Sequence, residues 1–412
     1  MEQLDVFLLG ERVGVLESNR GKLTFHYLPE YLRKSDAAAI SYSLPLQSEP
    51  FDPVVTSVFF DNLLPPDVVR KRLGKILHLS PRNIFGFLEA IGGDCAGAIA
   101  LYPPACTQTA DASAPTFREL SDEEASQILM DLPKRPLNIG KEEGFRISGA
   151  GAQDKLIACV KEGRIVLPLY GAPSTHIIKP PVAAYRDSVF NEFFCMRLAQ
   201  KMGLPVPECG ILTLKDVPYY CVTRFDRQNK DGRISRLHQE DFCQLLSVAP
   251  EKKYESEGGP AILQCFQLIK KMRLGAEGQI DFLRRIIFNV LIGNGDAHAK
   301  NFSVLYRGKT IRLAPVYDLL CTEIYDSLAH ETAMSIGGET AFAGITRGRL
   351  SKMAMECKVR PELILSLLDE MLEKITIASN DLADELNRQH PSTVYAKICR
   401  IIERQAAWLA VE

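Results

Sequence analysis

The stretch IGNGDAHAKNF, residues 292–302, is the most informative part of the chain. A predicted helix ends at its Gly-Asn-Gly turn, and Asp296 and Asn301 then share a loop that leads into a strand. A hairpin follows, and its second strand runs into VYDLL, which puts Asp318 directly after a strand. Asp and Asn are common in turns because they hydrogen-bond locally, so any one of the three could be a turn residue. The order helix, loop, hairpin and aspartate favours a joint chemical role.

Phosphoryl transfer needs the residue types that this order supplies. One carboxylate orients the attacking hydroxyl and accepts its proton, while an amide and a second carboxylate hold magnesium against the phosphates. We therefore predict Asp296 as the catalytic base, Asn301 and Asp318 as magnesium ligands, and ATP with Mg²⁺ as the cofactors. His298 and Lys300 lie in the same loop and could touch phosphates, although loop residues of these types are usually only solvated.

Lys179 is a second candidate for phosphate binding. It ends the apolar strand of THIIKPP and precedes Glu192, which lies on a predicted amphipathic helix running from about Val189 to Met202. This arrangement is typical of a phosphate-holding lysine with its helix glutamate. The alternatives are an edge-strand lysine whose ammonium lies in water and a glutamate on a solvated helix surface.

The segment SGAGAQDK, residues 148–155, is the third candidate. Gly149 and Gly151 would let the backbone approach phosphates closely, and Lys155 could add a positive charge. The Walker A sequence is absent. RISGAG at 146–151 predicts a strand entering this loop, and a plain strand-turn-strand fits the same letters.

Length and composition constrain the number of domains and the kinds of partner that the chain can have. A chain of 412 residues is too long for one ordinary core, and 46% hydrophobic with 24% charged residues is typical of a globular protein. A net charge of −2 argues against a strong overall attraction to nucleic acid or anionic membrane. The 11 cysteines include no C-x-x-C pair, which favours reduced thiols. With no signal peptide or long apolar run in evidence, we expect a cytoplasmic protein that does not use a membrane.

The pattern of elements predicts three sections: a β-rich subdomain at 1–105, a second part at 106–225, and a helical part at 226–412. Strands are predicted within 3–27, at 155–160, 164–169 and 176–179, around 209–225, and in a hairpin at 302–315; helices are predicted within 54–77, from Ser121 to about Leu132, and over most of 240–292 and 350–410. The stretch 103–118 is the best linker candidate, because it is rich in proline, serine and threonine and poor in large apolar residues.

Ten ordered blocks resemble the HipA family of toxin kinases. They are FFDNLLP (59–65), GGDCAGAIAL (92–101), RISGAGAQDK (146–155), THIIKP (175–180), NEFFCMRLAQKMGLPVP (191–207), TRFDR (223–227), HQEDFCQ (238–244), KYESEGGP (253–260), NGDAHAKNFSV (294–304) and APVYDL (314–319). The resemblance implies an α+β, bilobal, protein-kinase-like fold with a β-rich N-terminal subdomain and a helical C-terminal lobe.

The resemblance also assigns roles. It implies Asp296 as the base, Asn301 and Asp318 as metal ligands, and Ser148 as a self-phosphorylated serine that switches the enzyme off. The nucleotide-binding positions that it implies are Ala150, Gly151, Ala152, Gln153, Asp154, Lys155, Lys179, Thr223, Arg224, Phe225, His298, Asn301, Tyr317 and Asp318. The backbone at Thr223–Phe225 would be the adenine-binding hinge.

Members of this family phosphorylate an aminoacyl-tRNA synthetase, typically the glutamyl enzyme, and a helix-turn-helix antitoxin, HipB, binds them. The resemblance therefore implies a serine/threonine kinase toxin with such a partner. The segment 333–349 carries arginine only at 347 and 349, so DNA contact is expected mainly through the antitoxin. Two alternatives stay open: a binding partner of a repressor whose nucleotide chemistry is secondary, and a kinase acting on another acceptor, such as a small molecule or lipid.

Overall fold

The structure is a computed structural model that describes residues 2–104, 116–230, 233–308 and 310–411. It has two compact units, each assembled from several stretches of chain. The first comprises Met1–Pro180, Leu212–Glu251 and Leu305–Lys309; the second comprises Pro181–Ile211, Lys252–Val304 and Thr310–Glu412. The central part of the predicted linker, 105–115, lies outside the described residues. The three sections predicted from the sequence remain a prediction.

Strands and helices are numbered in chain order. The strands are β1 Glu2–Leu8, β2 Glu11–Asn19, β3 Lys22–Tyr27, β4 Ile99–Tyr102, β5 Thr116–Glu119, β6 Leu156–Lys161, β7 Arg164–Leu169, β8 His176–Lys179, β9 Cys209–Leu214, β10 Val217–Thr223, β11 Arg227–Lys230, β12 Arg233–Arg236, β13 Gln239–Asp241, β14 Ser303–Arg307, β15 Thr310–Leu313, β16 Glu331–Ile336 and β17 Glu339–Ala341. The helices are α1 Pro29–Leu32, α2 Pro53–Asp61, α3 Asp67–Leu77, α4 Ile84–Ile91, α5 Asp122–Asp131, α6 Ser188–Lys201, α7 Phe242–Leu245, α8 Ile262–Lys271, α9 Gly275–Leu291, α10 Arg347–Glu356, α11 Pro361–Gln389 and α12 Val394–Val411.

Two sheets are formed largely by residues of the first unit. The N-terminal sheet has the antiparallel order β3-β2-β1-β4, which confirms the strands predicted within 3–27. The larger sheet has the order β5-β7-β6-β8-β10-β9. In it β8 pairs antiparallel with both β6 and β10, so the strand that ends at Lys179 is internal rather than an edge strand. Leucine, valine, isoleucine and phenylalanine side chains from both sheets form one continuous buried core.

Local capping signals predicted helix ends well. At the start of α5 the Ser121 hydroxyl accepts a hydrogen bond from Glu124 N (3.2 Å), and the Glu124 carboxylate accepts one from Ser121 N (2.9 Å). This confirms the predicted capping box. The predicted helix at 189–202 is α6, and Gly203 follows it with a φ of 79°.

Helices dominate the second unit. The 29-residue α11 packs on α6, α9, α10 and α12. The strands predicted at 302–306 and 310–315 are β14 and β15. None of the described helices combines the length and the apolar character needed to span a bilayer.

The predicted strand at 146–151 is wrong. Ile147 makes only an isolated parallel bridge, to Asp94, and the residues around it form a loop. Asp94 itself lies between α4 and β4, so no neighbouring strand is present to extend the bridge into a ladder. The hairpins β11–β12 and β16–β17 were not predicted, because RQNK, RISR and ETAMSI lack the apolar alternation that marks a half-buried strand.

Two titratable side chains are buried at the start of β13 in the first unit: His238, which precedes the strand, and Glu240, which lies in it. His238 Nε2 hydrogen-bonds with the Ile40 carbonyl (2.9 Å), and its ring stacks on Tyr306. The Glu240 carboxylate accepts hydrogen bonds from the Tyr306 hydroxyl (2.5 Å) and from Tyr42 N (3.3 Å). Burial lowers the pKa of His238 to about 4 and raises the pKa of Glu240 to about 7, so the two groups are shifted in opposite directions.

Candidate active site

In the second unit the loop that follows α9 is tied to the chain after Asp318. The carbonyl of Gly293 accepts hydrogen bonds from the backbone N–H groups of Thr322 (2.9 Å) and Glu323 (3.2 Å). The Thr322 hydroxyl in turn accepts one from Gly295 N (2.7 Å). Gly293 has a φ of 66°, and a Cβ there would lie 2.8 Å from a Glu323 carboxylate oxygen. The Gly-Asn-Gly turn therefore fixes where the loop leaves the helix.

The same loop presents Asp296 to solvent on a fixed backbone. The Asp296 carbonyl accepts hydrogen bonds from the Asn301 side-chain amide (2.8 Å) and from His298 N (2.8 Å), while Asp296 N donates to Asn294 Oδ1 (3.1 Å). The Asp296 side chain is 38% exposed. A carboxylate that is accessible on a fixed backbone suits a general base.

Tyr254, which the sequence reasoning missed, contacts this carboxylate. Its hydroxyl donates a hydrogen bond of 2.5 Å to Asp296 Oδ1. Its ring packs edge-on against His298, with centroids 5.1 Å apart. Tyr254 lies in the block KYESEGGP, which carried part of the family resemblance but no assigned role.

His298 was predicted to contact phosphates, and the structure buries it beside Asp296. Burial, followed by the charge of Lys253, lowers the pKa of His298 to about 3. The ring is therefore neutral at physiological pH, and its 3.8 Å approach to Asp296 Oδ1 is not an ion pair. Nδ1 is buried without a hydrogen-bond partner among the described residues. A neutral imidazole can contact a phosphate through one N–H but adds no positive charge.

Asn301 and Asp318 line the same small cavity at this end of the loop, together with Asn294 and Tyr317. Asp318 has a φ of 58°, a left-handed conformation that is uncommon for residues other than glycine and that clusters at functional sites. Asn301 uses its amide N–H on the Asp296 carbonyl, which leaves the amide oxygen as its acceptor group. One amide oxygen and one carboxylate, completed by phosphate oxygens, fit the preference of Mg²⁺.

Tyr317 stabilises the C-terminal end of the loop that follows α9. Its hydroxyl donates to the Lys300 carbonyl (2.7 Å) and shares a 2.5 Å hydrogen bond with the Ser303 hydroxyl. The polar end of Tyr317 therefore holds loop backbone in this structure. Its ring is the part that could contact a nucleotide.

In the first unit, residues 148–155 form an irregular loop whose tip, Gly151 and Ala152, is exposed, while Ala150, Gln153 and Asp154 are partly buried. The Lys155 ammonium donates to the carbonyls of Ala150 (2.8 Å) and Gly151 (3.0 Å). Gly151 has a φ of 94°, and a Cβ there would lie 2.9 Å from Lys155 Nζ. Lys155 was predicted to add positive charge for phosphate binding. In this structure its ammonium hydrogen-bonds to the backbone of its own loop.

Two further contacts hold this loop. The Asp154 carboxylate pairs with the Arg72 guanidinium through bonds of 2.8 and 3.2 Å. Ser148 is 1% exposed; its hydroxyl donates to the Leu63 carbonyl (2.6 Å), and its N–H donates to the Asp94 carbonyl (3.1 Å). The predicted modification site is therefore fully buried in this conformation.

Lys179 is also in the first unit. It lies opposite Tyr220 in the register of β8 and β10, is 6% exposed, and places its ammonium 5.7 Å from the centre of the Tyr220 ring. Such burial argues against the alternative of a solvated edge-strand lysine. Glu192, its predicted partner, is a buried residue of α6 in the second unit.

The predicted hinge lies at the end of β10. Arg224 N donates to the Thr175 carbonyl (2.8 Å), and Thr223 pairs with His176 in the β8–β10 register. The Arg224 side chain turns inward, to a buried cluster that we call the Asp94 network. Its members are Asp94, Ser174, Arg224, Asp226, Arg227 and Arg236.

Asp94 is the centre of this network. Its Oδ1 accepts hydrogen bonds from Arg227 (2.8 Å) and Arg236 (2.9 Å), and its Oδ2 accepts one from Ser174 Oγ (2.6 Å). Arg224 Nη2 donates to Asp226 Oδ2 (2.7 Å). Burial alone would raise the pKa of Asp94, but the guanidiniums offset this and hold that pKa well below its usual range. The network is ionised and internally paired.

Each unit thus carries part of the predicted set. The second brings together Asp296, His298, Asn301, Tyr317 and Asp318. The first holds the 148–155 loop, Lys179 and Thr223–Phe225.

Comparisons with known proteins cover nearly the whole chain. The family model "HipA N-terminal domain" matches residues 4–102, and "HipA-like C-terminal domain" matches residues 147–378. The protein named "Putative kinase Y4mE" from Sinorhizobium fredii is 38% identical over 92% of this chain and 93% of its own. The serine/threonine-protein kinase toxin HipA of Shewanella oneidensis is 34% identical over 69% of this chain and 67% of its own.

A solved structure is similar as well. It is the Shewanella oneidensis complex of HipA, HipB and operator DNA, and its HipA matches with a TM-score of 0.84 and 27% identity, covering 99% of this chain and 97% of that one. The match confirms the predicted α+β, protein-kinase-like fold.

Proposed function

This chain belongs to the HipA family, and from that premise we propose that it is an ATP- and magnesium-dependent serine/threonine protein kinase, the toxin of a toxin–antitoxin pair. The observation that carries the proposal is the loop after α9. Its backbone is fixed by Asn301 and Thr322, and its one exposed acidic group is the Asp296 carboxylate. That is the arrangement expected of a base that must reach a substrate hydroxyl.

In the proposed reaction, the hydroxyl oxygen of a substrate serine or threonine bonds to the γ-phosphorus of ATP. The bond from that phosphorus to the bridging oxygen of the β-phosphate breaks, and the hydroxyl proton passes to Asp296. Asn301 and Asp318 would hold magnesium, which when bound neutralises phosphate charge. Lys179 and the loop at 150–155 would contact the phosphates, and the backbone at Thr223–Phe225 would contact adenine.

The test of this proposal is Asp296→Asn. We expect kinase activity to fall about 10²–10⁴-fold, because general-base catalysis is worth that much, while calorimetric ATP affinity is retained. Asp381→Asn, on an exposed position of α11, is the matched control and should keep full activity. Near-wild-type labelling by Asp296→Asn would reject the base, and no activity in the wild type would favour a binding partner whose chemistry is secondary.

The acceptor that we propose is an aminoacyl-tRNA synthetase, with the glutamyl enzyme first, on the strength of the family resemblance. Radiolabelled ATP with a panel of purified synthetases tests it directly. Label on one synthetase, lost with Asp296→Asn, is the expected result. Label on none of them would leave the kinase with a different acceptor.

We also propose a HipB-like helix-turn-helix antitoxin as the partner, since the similar solved structure is a complex of HipA with HipB and DNA. Direct DNA contact by segment 333–349 is not part of the proposal. Arg347 pairs with Asp369 through bonds of 2.7 and 3.1 Å, and Arg349 donates to the Gly337 carbonyl (3.1 Å). Both arginines are thus engaged within their own unit.

Self-phosphorylation at Ser148 is the proposed off-switch. A phosphate adds about −1.5 to −2 charges. The Ser148 hydroxyl is buried and lies against the Leu63 carbonyl oxygen, which leaves no room there for a phosphate. Because a phosphoserine cannot stay there, the loop at 150–155 would be displaced and ATP affinity lost. Mass spectrometry should find phosphate at Ser148 in the wild type and not in Asp296→Asn; phosphate in both would exclude self-modification.

A further inference from the structure

The turn that carries Tyr254 to its contact with Asp296 is fixed by hydrogen bonds and close packing. Tyr254 begins a short turn whose next residue, Glu255, accepts hydrogen bonds from Ser335 N (2.6 Å) and Ser335 Oγ (2.9 Å) of β16. The Tyr254 carbonyl accepts one from Gly259 N (2.9 Å), and a Cβ on Gly259 would lie 2.2 Å from the Lys252 carbonyl oxygen. The turn is therefore anchored on both sides of the tyrosine.

The tyrosine ring is held as firmly as its backbone. It lies edge-on to the buried His298, and the Lys253 ammonium is 4.8 Å from its centre. Burial, and then the negative charge of Asp296, raises the pKa of Tyr254 far above its usual value. The hydroxyl therefore stays protonated at physiological pH and can only donate to the carboxylate. Hydrogen bonds to an ionised acceptor are among the stronger ones in proteins.

A carboxylate has two oxygens, and the tyrosine engages one of them. Because Oδ1 accepts the hydrogen bond from the Tyr254 hydroxyl, rotation of the Asp296 side chain is restricted. A base held in one rotamer needs no reorientation when the substrate arrives, which is where preorganisation contributes to rate.

We propose that Tyr254 is a positioning residue for the catalytic base, fixing the rotamer of Asp296 through its hydroxyl. The inference rests on the proposed role of Asp296. A competing interpretation treats Tyr254 as a stand-in for the substrate hydroxyl, a gate that must leave before catalysis. The anchoring of the turn at Glu255 and Gly259 favours the positioning role, because a gate needs freedom to move.

The test is Tyr254→Phe, which removes only the hydroxyl. We expect kcat to fall roughly 10–100-fold, the range for losing a hydrogen bond to a charged group, with the KM for MgATP unchanged. Tyr395→Phe is the matched control and should retain wild-type kcat, since the buried Tyr395 hydroxyl on α12 has no hydrogen-bond partner within the part of the chain that the structure describes. A faster Tyr254→Phe enzyme, or a lower KM for the protein acceptor, would establish the gate and overturn the proposal.

A double-mutant cycle separates positioning from a general structural role. In an Asp296→Asn background, Tyr254→Phe should lower the residual rate no further, whereas a structural defect would lower both backgrounds equally. If Tyr254→Phe folds poorly in a thermal melt, Glu255→Gln loosens the same turn from outside and should also lower kcat without changing ATP affinity; unchanged kcat there counts against the proposal. Full activity of Tyr254→Phe beside an inactive Asp296→Asn would reject this inference alone, and an active Asp296→Asn would reject the proposed function first.

Discussion

The Asp94 network and the catalytic loop are both built from residues of the motif blocks, yet they handle charge in opposite ways. In the network, Asp94, Arg224 and Asp226 are buried, and Arg224 donates hydrogen bonds to both carboxylates. In the loop, Asp296 keeps its carboxylate accessible, and Asp318 holds a left-handed backbone that costs energy. The contrast teaches that the paired charges of the Asp94 network serve the fold, whereas the accessible Asp296 and the strained Asp318 are candidates for chemistry.

Replacing Asp94 should disrupt the buried network and should lower the free energy of unfolding more than any other change considered. Asp94→Asn removes the charge that three guanidiniums share, and losing one partner of a buried ion pair costs about 3–5 kcal/mol. Urea unfolding measures the loss. Asp369→Asn is the control, because its partner Arg347 is near the surface and such pairs contribute below about 1 kcal/mol. Equal stability of the Asp94 and Asp369 variants would refute the structural role of the network.

Asp318→Asn tests whether the strained aspartate beside the catalytic loop contributes to magnesium binding. Asparagine tolerates the left-handed conformation, so the fold should be retained. Loss of one charged metal ligand, worth on the order of 1.4 kcal/mol or more, should weaken MgATP binding about tenfold or more. Calorimetry with Mg²⁺ and with excess chelator makes the distinction: affinity should drop only when magnesium is present. An equal drop in both conditions would mean that Asp318 does not act through the metal.

The smallest expected effect concerns His238 and Glu240 at the start of β13, whose pKa values are shifted in opposite directions. His238 has a pKa of about 4 when folded and 6.5 as its ordinary value, so protonation of the unfolded chain removes stability as pH falls through that window. Glu240 has a pKa of about 7 against an ordinary 4.5, so its contribution is present at low pH and is lost as pH rises to 7. In the wild type these slopes largely cancel between pH 4.5 and 6.5.

Glu240→Gln should reveal the pH dependence that His238 contributes to the free energy of unfolding. Its unfolding free energy should rise with pH by about 1 kcal/mol per unit over that window, whereas His238→Gln should give the opposite slope. Urea titrations at several pH values supply the data. Parallel curves for both variants and the wild type would show that these side chains do not titrate on unfolding.

The sequence predicted what depends on neighbouring residues. The Ser121 capping box, the glycine after α6 and the D-x-x-x-x-N spacing are all written within a few positions, and the fold followed from them and from the family blocks. It could not predict where the Arg224 side chain would go, because its contact with Asp94 joins residues 130 positions apart. Tyr254 was missed for the same reason, since 42 positions separate it from Asp296 and nothing local marks a tyrosine as a donor to a base.

The sharing of one carboxylate by several arginines has an evolutionary consequence. A single substitution of Asp94 or of one of its partners leaves buried charge without compensation, so the positions can change safely only in concert, and one-step mutational paths away from GGDCAG and TRFDR are closed by folding itself. A descendant of this chain could lose its chemistry through one change at Asp296 and still retain both blocks unaltered. The residue at the position of Asp296 is therefore the one to inspect when active members of the family are to be told from inactive ones.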